Sequence, residues 1–253
     1  MPFLNAIVPS SCFLEDLPSS PMRIFLIRHA DPDYPNNTIT PAGHLEAKAL
    51  SRRMQRLGLD RIFCSPLGRA VDTARYTADA LGIEPVILPW TAELGWARVE
   101  QEGYGNSVVW DVHGHTVHLR EYTREAWHEA PPFDHPDFRE GFAHIRQESD
   151  PFLESLGYRR NGGTYEVIAG NRQKIALFCH GGFGLTWLSH LLNIPAPLVW
   201  AGFFLPPSSV TTILFDERSR EFATPRCLGM GDISHLYAED LPMQPAGIKA
   251  NVE

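Results

Sequence analysis

At 253 residues the chain is long enough for one large domain, or for a domain carrying a sizeable insertion. Its composition, 43% hydrophobic and 21% charged, is that of a globular protein, and no apolar stretch approaches the roughly 20 residues of a membrane helix. The formal net charge of -8 argues against a general binder of nucleic acid or anionic membrane, so an anion site must be a local gathering of cations on an acidic body.

Residues 1–21 hold no Lys or Arg, carry Glu15 and Asp16, and are punctuated by Pro9, Pro18 and Pro21, which is a poor signal peptide. They read as a loosely attached extension, with Met22 as a natural start directly before the first strand. The cysteines at 12, 64, 179 and 227 lack metal-type pair spacing. Cys64 and Cys179 each end an apolar run and read as buried core thiols. This suits a reducing, cytoplasmic setting without disulfides.

The organising stretch is Met22 to Tyr34, MRIFLIRHADPDY. Ile24 to Ile27 is apolar at every position, as in a strand buried on both faces of a parallel sheet, and Arg28-His29 ends it abruptly. In such sheets ligands bind at the carboxyl ends of strands. Thr40-Pro41 caps a helix whose spacing comes from Leu45, Ala49, Leu50, Met54 and Leu57, with Gly58 as its stop. Arg61 to Cys64 is a second strand, running into SPLGRAVDTA at 65–74. There Ser65 reads as a cap, Pro66 as the first helical residue and Gly82 as the end. Arg69 then falls in the first turn, where a cation opposes the helix dipole unless an anion is also present.

Val86 to Leu88 reads as a third strand, followed by Glu93. Residues 94–172 change in character, with six of the eleven histidines and three of the six tryptophans. They read as an insertion over one edge of the sheet, able to shape a substrate pocket. Within it Val108 to Leu119 alternates around His113-Gly114-His115 and predicts a hairpin. Asp137 to Glu148 is an amphipathic helix, and Pro151 should end it, with a new start capped by Ser149 or Asp150. Strands at 164–168 and 174–179 follow. The second, KIALFC, leads into His180-Gly181-Gly182 and a helix with Leu185, Leu188 and Leu191 inward. Residues 210–216 and 221–226 make a hairpin, and the tail from Glu239 reads as flexible.

Three strand ends thus bring polar groups to one edge: Arg28-His29, Ser65 to Arg69, and His180 with two glycines whose backbone N–H groups can approach an anion. Two guanidinium forks suit phosphate oxygens. In order, LIRHA at 26–30, TPAGHLEA at 40–47, SPLGRAVDTA at 65–74, Glu93, FCHGG at 178–182 and GDISHL at 231–236 resemble the histidine phosphatase superfamily, the group that includes cofactor-dependent phosphoglycerate mutases. Ala30 replaces the usual Gly, and Glu46 stands where Gln is common.

The resemblance implies an α/β three-layer sandwich, with a mostly parallel central sheet flanked by helices, spanning 22–236 with the insertion at 94–172 and a tail at 237–253. It implies His29 as the nucleophile that takes the phosphoryl group. Arg28, Arg69 and His180 would hold the phosphate, with Gly181 beside them, and Glu93 would be the general acid. Glu100, Glu102 and Asp31 are the other carboxylates to which that role could fall. The implied activity is metal-independent phosphomonoester hydrolysis without a cofactor, on a small phosphorylated metabolite. With the net charge of -8, no nucleic-acid or membrane partner is expected, and a homodimer is compatible with the sequence. A mutase, a non-catalytic phosphate-binding module and a metallohydrolase using His113, His115 and His118 are the rivals. Against the mutase, the chain continues Ala30-Asp31-Pro32-Asp33-Tyr34 where mutases carry Glu-Ser-x-Trp-Asn after Arg-His-Gly.

Overall fold

In the computed structural model, which describes residues 21–101, 103 and 105–247, the first apolar run forms β1 (Arg23–Arg28), buried at every position after the first. A small ribbon of β2 (Pro32–Asp33) and β3 (Thr38–Ile39) leads to α1 (Pro41–Leu57), then β4 (Arg61–Cys64), α2 (Gly68–Leu81) and β5 (Val86–Ile87). Next come the hairpin β6 (Arg98–Gln101) and β7 (Gly105–Val108), the short α3 (Gly114–His118), the long α4 (Pro136–Ser155), and the hairpin β8 (Tyr158–Asn161) and β9 (Thr164–Val167). The chain returns through β10 (Lys174–Cys179), α5 (Gly181–Leu192) and α6 (Ala196–Gly202). It ends with β11 (Val210–Asp216), β12 (Phe222–Asp232) and α7 (Ser234–Tyr237).

Eight strands make one sheet in the order β5-β4-β10-β1-β11-β12-β9-β8. The half that carries the candidate site, β5-β4-β10-β1, is parallel, and antiparallel pairings extend it from β11 outward. Because side chains alternate across a pleated strand, a wholly apolar run serves two cores at once. Phe25 and Ile27 join Leu50, Met54 and Ala74 beneath α1 and α2. Ile24 and Leu26 join Leu177, Phe183 and Trp187 on the opposite face. This gives three layers. Residues 94–172 supply the sheet's last two strands, and their Trp127, Phe138 and Phe142 share the second core with α5 and α6. Among the described residues no helix is long and apolar enough to cross a membrane. Cys64 and Cys179 are buried thiols, while Cys12, like residues 1–20 as a whole, lies outside the described residues.

Several local expectations need correction. Thr40 caps α1 as its side chain suggests, accepting from the Gly43 N–H at 3.0 Å. Leu45, however, is 55% exposed, and the buried face runs through Gly43, Ala47, Leu50 and Met54. The segment after β7 is not a hairpin: Val109–Asp111 forms one helical turn, His113 directly precedes α3, and His115 and His118 fall in it. Nor does Pro151 end α4, which continues from Pro136 to Ser155. An interior proline costs about 3 kcal/mol, but tertiary contacts hold the helix around it. Ser149 Oγ accepts from Trp187 Nε1 at 2.7 Å, His190 Nε2 meets Asp150 Oδ1 at 2.8 Å, and Phe152 packs edge-on against Phe63. Over its described part the tail contacts the body of the protein. Glu239 pairs with Arg52, and Ala246 reaches back to Arg28.

Glu46, on α1, is 2% exposed and accepts from the Asp31 N–H at 2.9 Å. Burial is the largest influence on it and raises its pKa to about 7, against the opposing pull of that hydrogen bond and of the Arg28 charge. A carboxyl raised above its unfolded value contributes stability that is complete below about pH 4.3 and is lost as pH rises through about 7. Glu46→Gln should therefore gain up to about 3 kcal/mol over the native chain at pH 8, and the gain should shrink toward pH 4. Thermal unfolding across that range checks this; a gap that does not vary with pH would contradict it.

Candidate active site

The register of the parallel strands delivers the site. Arg28 lies opposite Cys179 on β10, and Phe178 lies opposite Cys64 on β4. The ladder runs one residue further, with the His29 N–H donating to Cys179 O at 2.9 Å and the Ser65 N–H to Phe178 O at 2.8 Å. His29, Ser65 and His180 therefore leave the sheet together, with the two imidazole centroids 5.2 Å apart.

Ser65 does not cap a helix. α2 begins at Gly68, and Ser65 Oγ meets His180 Nε2 at 2.7 Å. The first turn of α2 is tied to β1 through Thr73, whose Oγ1 accepts from the Ala30 N–H at 2.9 Å and donates to Arg69 O at 2.7 Å. Arg69 is thereby held near His29. Its Nη1 donates to Asn37 Oδ1 at 3.2 Å, and its guanidinium lies 5.4 Å over the Tyr34 ring. Its charge is felt by both His29 and His180.

A hydrogen bond assigns the His29 tautomer. His29 Nδ1 lies 2.8 Å from Ala30 O. A carbonyl can only accept, so Nδ1 carries the proton and Nε2 keeps its lone pair. Burial, then Arg28 and Arg69, lower the His29 pKa well below the usual histidine value, against the opposing pull of the Ala30 carbonyl. Burial, then His29, Arg69 and Arg28, lower that of His180 as well. Ser65 Oγ already accepts from the Leu67 N–H at 3.3 Å. With its own proton donated to His180 Nε2, His180 Nδ1 is an N–H donor. Three buried nitrogens in this group lack a protein partner: Arg28 Nε, Arg69 Nε and His180 Nδ1. Buried donors without partners are rare in a folded chain. A tetrahedral anion would satisfy them.

Arg28 and Glu93 border a cavity of about 280 Å³ beside this cluster, together with Gly181, Trp110 and Phe203. Arg28 is oriented from behind, Nη1 donating to Leu205 O at 2.6 Å and Nη2 to Ala246 O at 2.9 Å. Glu93 sits at the start of α5, its oxygens accepting from the Gly182 N–H at 3.2 Å and the Phe183 N–H at 2.8 Å. One of the glycine amides expected to face an anion thus serves this carboxylate instead. Gly182 is required by a close approach, since a Cβ there would fall 2.1 Å from the Trp110 ring.

The other candidate acids lie elsewhere. Asp31 accepts from Thr40 Oγ1 at 2.7 Å, and Glu100 accepts from Asn106 Nδ2 within the β6–β7 hairpin; Glu102 lies outside the described residues. His113 and His115 pack ring to ring in the segment around α3. Among the described residues no three His, Cys, Asp or Glu side chains gather closely enough to hold a metal. A larger groove, about 700 Å³, runs between α2 and β5 but contains none of the candidate residues. Reading the sequence missed Ser65 as a partner of His180, Thr73 as a tie, Asn37 and the tail. Only Ser65 and Thr73 lay inside a recognised motif.

A family model described as the histidine phosphatase superfamily (branch 1) matches residues 24–227. A probable phosphatase of Schizosaccharomyces pombe is 25% identical over 237 residues, 87% of this chain and 97% of that one. An adenosylcobalamin/alpha-ribazole phosphatase of Salmonella typhi is 24% identical over 188 residues, 71% of this chain and 84% of that one. Among solved structures, a phosphoserine phosphatase of Entamoeba histolytica in complex with phosphoserine superposes with a TM-score of 0.56 at 17% identity, covering 85% of this chain and 99% of that one. The alpha-ribazole phosphatase of Shigella flexneri gives 0.54 at 19%, covering 84% and 97%.

The lowered His29 pKa predicts that its ring stays neutral through pH 6.5, about where free histidine is half protonated. An NMR titration of the imidazole nitrogens reads this directly. A midpoint at or above 6.5, or a proton on Nε2 instead of Nδ1, would contradict the tautomer assigned here.

Proposed function

The chain belongs to the histidine phosphatase superfamily, and from that premise we propose that it hydrolyses phosphate monoesters of small metabolites through a phosphohistidine formed at His29. The observation that carries this reading is the grouping of the unpartnered Arg28 Nε, Arg69 Nε and His180 Nδ1 with the bare Nε2 of a neutral imidazole. Phosphatases among the relatives support the same reaction class.

In the first step the His29 Nε2 lone pair attacks phosphorus in line with the leaving oxygen. The P–O bond breaks, and the proton of Glu93 goes to that oxygen. Phosphorylation makes the ring cationic, and the Nδ1–H bond to Ala30 O supports that charge. In the second step Glu93 takes a proton from water, the water oxygen bonds to phosphorus, and the P–N bond breaks. Orthophosphate and neutral His29 result. The transition state is loose and spreads charge over the equatorial oxygens, so positioned cations and N–H donors supply most of the catalysis. Two guanidinium groups and the His180 N–H meet that need, and we assign no role to a metal.

A mutase would need a further cationic cluster for a substrate carboxylate. Among the described residues that line the cavity, Arg28 is the only basic one. Assaying released phosphate against isomerised phosphoglycerate separates the two. The free, buried thiols Cys64 and Cys179 suit a cytoplasmic protein.

His29→Ala should reduce hydrolysis by about 10⁴-fold or more, and acid quenching of the native enzyme should trap a phosphohistidine that the variant lacks. Glu93→Gln should cost about 10²–10⁴ on alkyl phosphates, and far less on esters whose leaving oxygen is already a weak base. An equal loss on both would move the acid to another residue. Exhaustive chelation should leave the rate unchanged.

A further inference from the structure

Resting on the hydrolase reading just given, we infer that the alcohol released is apolar, aromatic in its best form, and carries no second acid group. The cavity beside the cation cluster is walled by Tyr34, Trp110, Phe203, Phe204 and Leu205. Tyr34 is 54% exposed and Phe203 47% exposed, so both present ring surface to whatever enters. The Trp110 ring is seated against the first turn of α5, where only glycine at position 182 leaves room for it. A flat apolar group lying along these rings removes their exposed surface from water.

Charge points the same way. Besides the tyrosine, the ionisable groups that border the cavity among the described residues are Arg28, Glu93 and Asp111. Arg28 is occupied at both terminal nitrogens by carbonyls of Leu205 and Ala246, and its remaining Nε faces the phosphate position. Arg69 does not line this cavity among the described residues, and its Nη1 is held by Asn37. Among the described residues a carboxylate or second phosphate on the alcohol would find no cation of its own, and it would be desolvated against aromatic rings near acidic side chains. Phe203 also borders a second hollow of about 300 Å³, lined by Leu188, Leu192, Leu228 and Met230.

The test compares esters whose leaving oxygens are chemically alike: ethyl phosphate, 2-phenylethyl phosphate, phosphoserine and 3-phosphoglycerate, each assayed with the whole chain for released phosphate. The expected kcat/KM for 2-phenylethyl phosphate exceeds that for phosphoserine and 3-phosphoglycerate by about a hundredfold, and that for ethyl phosphate by about tenfold. Trp110→Ala should narrow the phenylethyl-to-ethyl ratio through KM. The half-exposed Phe203→Arg should raise the relative rate on 3-phosphoglycerate. Equal or better turnover of either acid-bearing ester by the native chain overturns the inference, as does a preference for a quaternary ammonium ester such as phosphocholine. If no ester turns over, the hydrolase reading fails, and calorimetric binding of the same esters still decides this inference. Tighter 2-phenylethyl phosphate upholds it, and equal or tighter 3-phosphoglycerate overturns it.

Discussion

Burying two guanidinium groups beside two imidazoles is unfavourable unless something fixes them against mutual repulsion. The structure does this with backbone geometry. Three parallel strands end in register, so His29, Ser65 and His180 start from one line, and Thr73 bolts the first turn of α2 to the residue after His29. The imidazoles respond by staying neutral, which relieves part of the repulsion and leaves a lone pair on one ring and an N–H on the other. The nitrogens left without a protein partner are the donors this frame holds in place. The placement of Arg69 in a first turn, unfavourable against the helix dipole, belongs to the same account.

The rest of the architecture supports that edge. Each apolar strand contributes to two cores, which makes the central strands hard to displace and their ends well defined. The segment between β5 and β10 adds two strands to the far side of the sheet and also places Trp110 over α5. The tail closes the arrangement from behind by taking one nitrogen of Arg28. Rigid positioning of groups around a transferring phosphoryl is where most of the catalytic advantage in such chemistry arises, and the proposed reaction draws on it at every step.

Much of this was legible in order along the chain. The strand at 23–28, the Thr40-Pro41 cap, the Gly58 and Gly82 stops and the strand leading to His180 all follow from local rules, because apolar runs, caps and left-handed glycines act over a few residues. Ser65 shows where local rules end. Its side chain can cap a helix or bond an imidazole 115 positions away, and only the sheet brings that imidazole within 2.7 Å. Pro151 is the converse case. Its local preference to break a helix is real, and contacts from Trp187, His190 and Phe63 outweigh it.

By itself, then, the amino-acid order determined the strand ends, the residue types gathered there and the family they belong to, since those are written in short motifs. Tertiary structure alone decided that Ser65 meets the His180 imidazole, that Glu93 and not Asp31 or Glu100 borders the cavity, and that the walls of that cavity are aromatic. Those properties depend on distances between residues far apart in sequence, and such distances exist only once the sheet has closed and its two cores have packed.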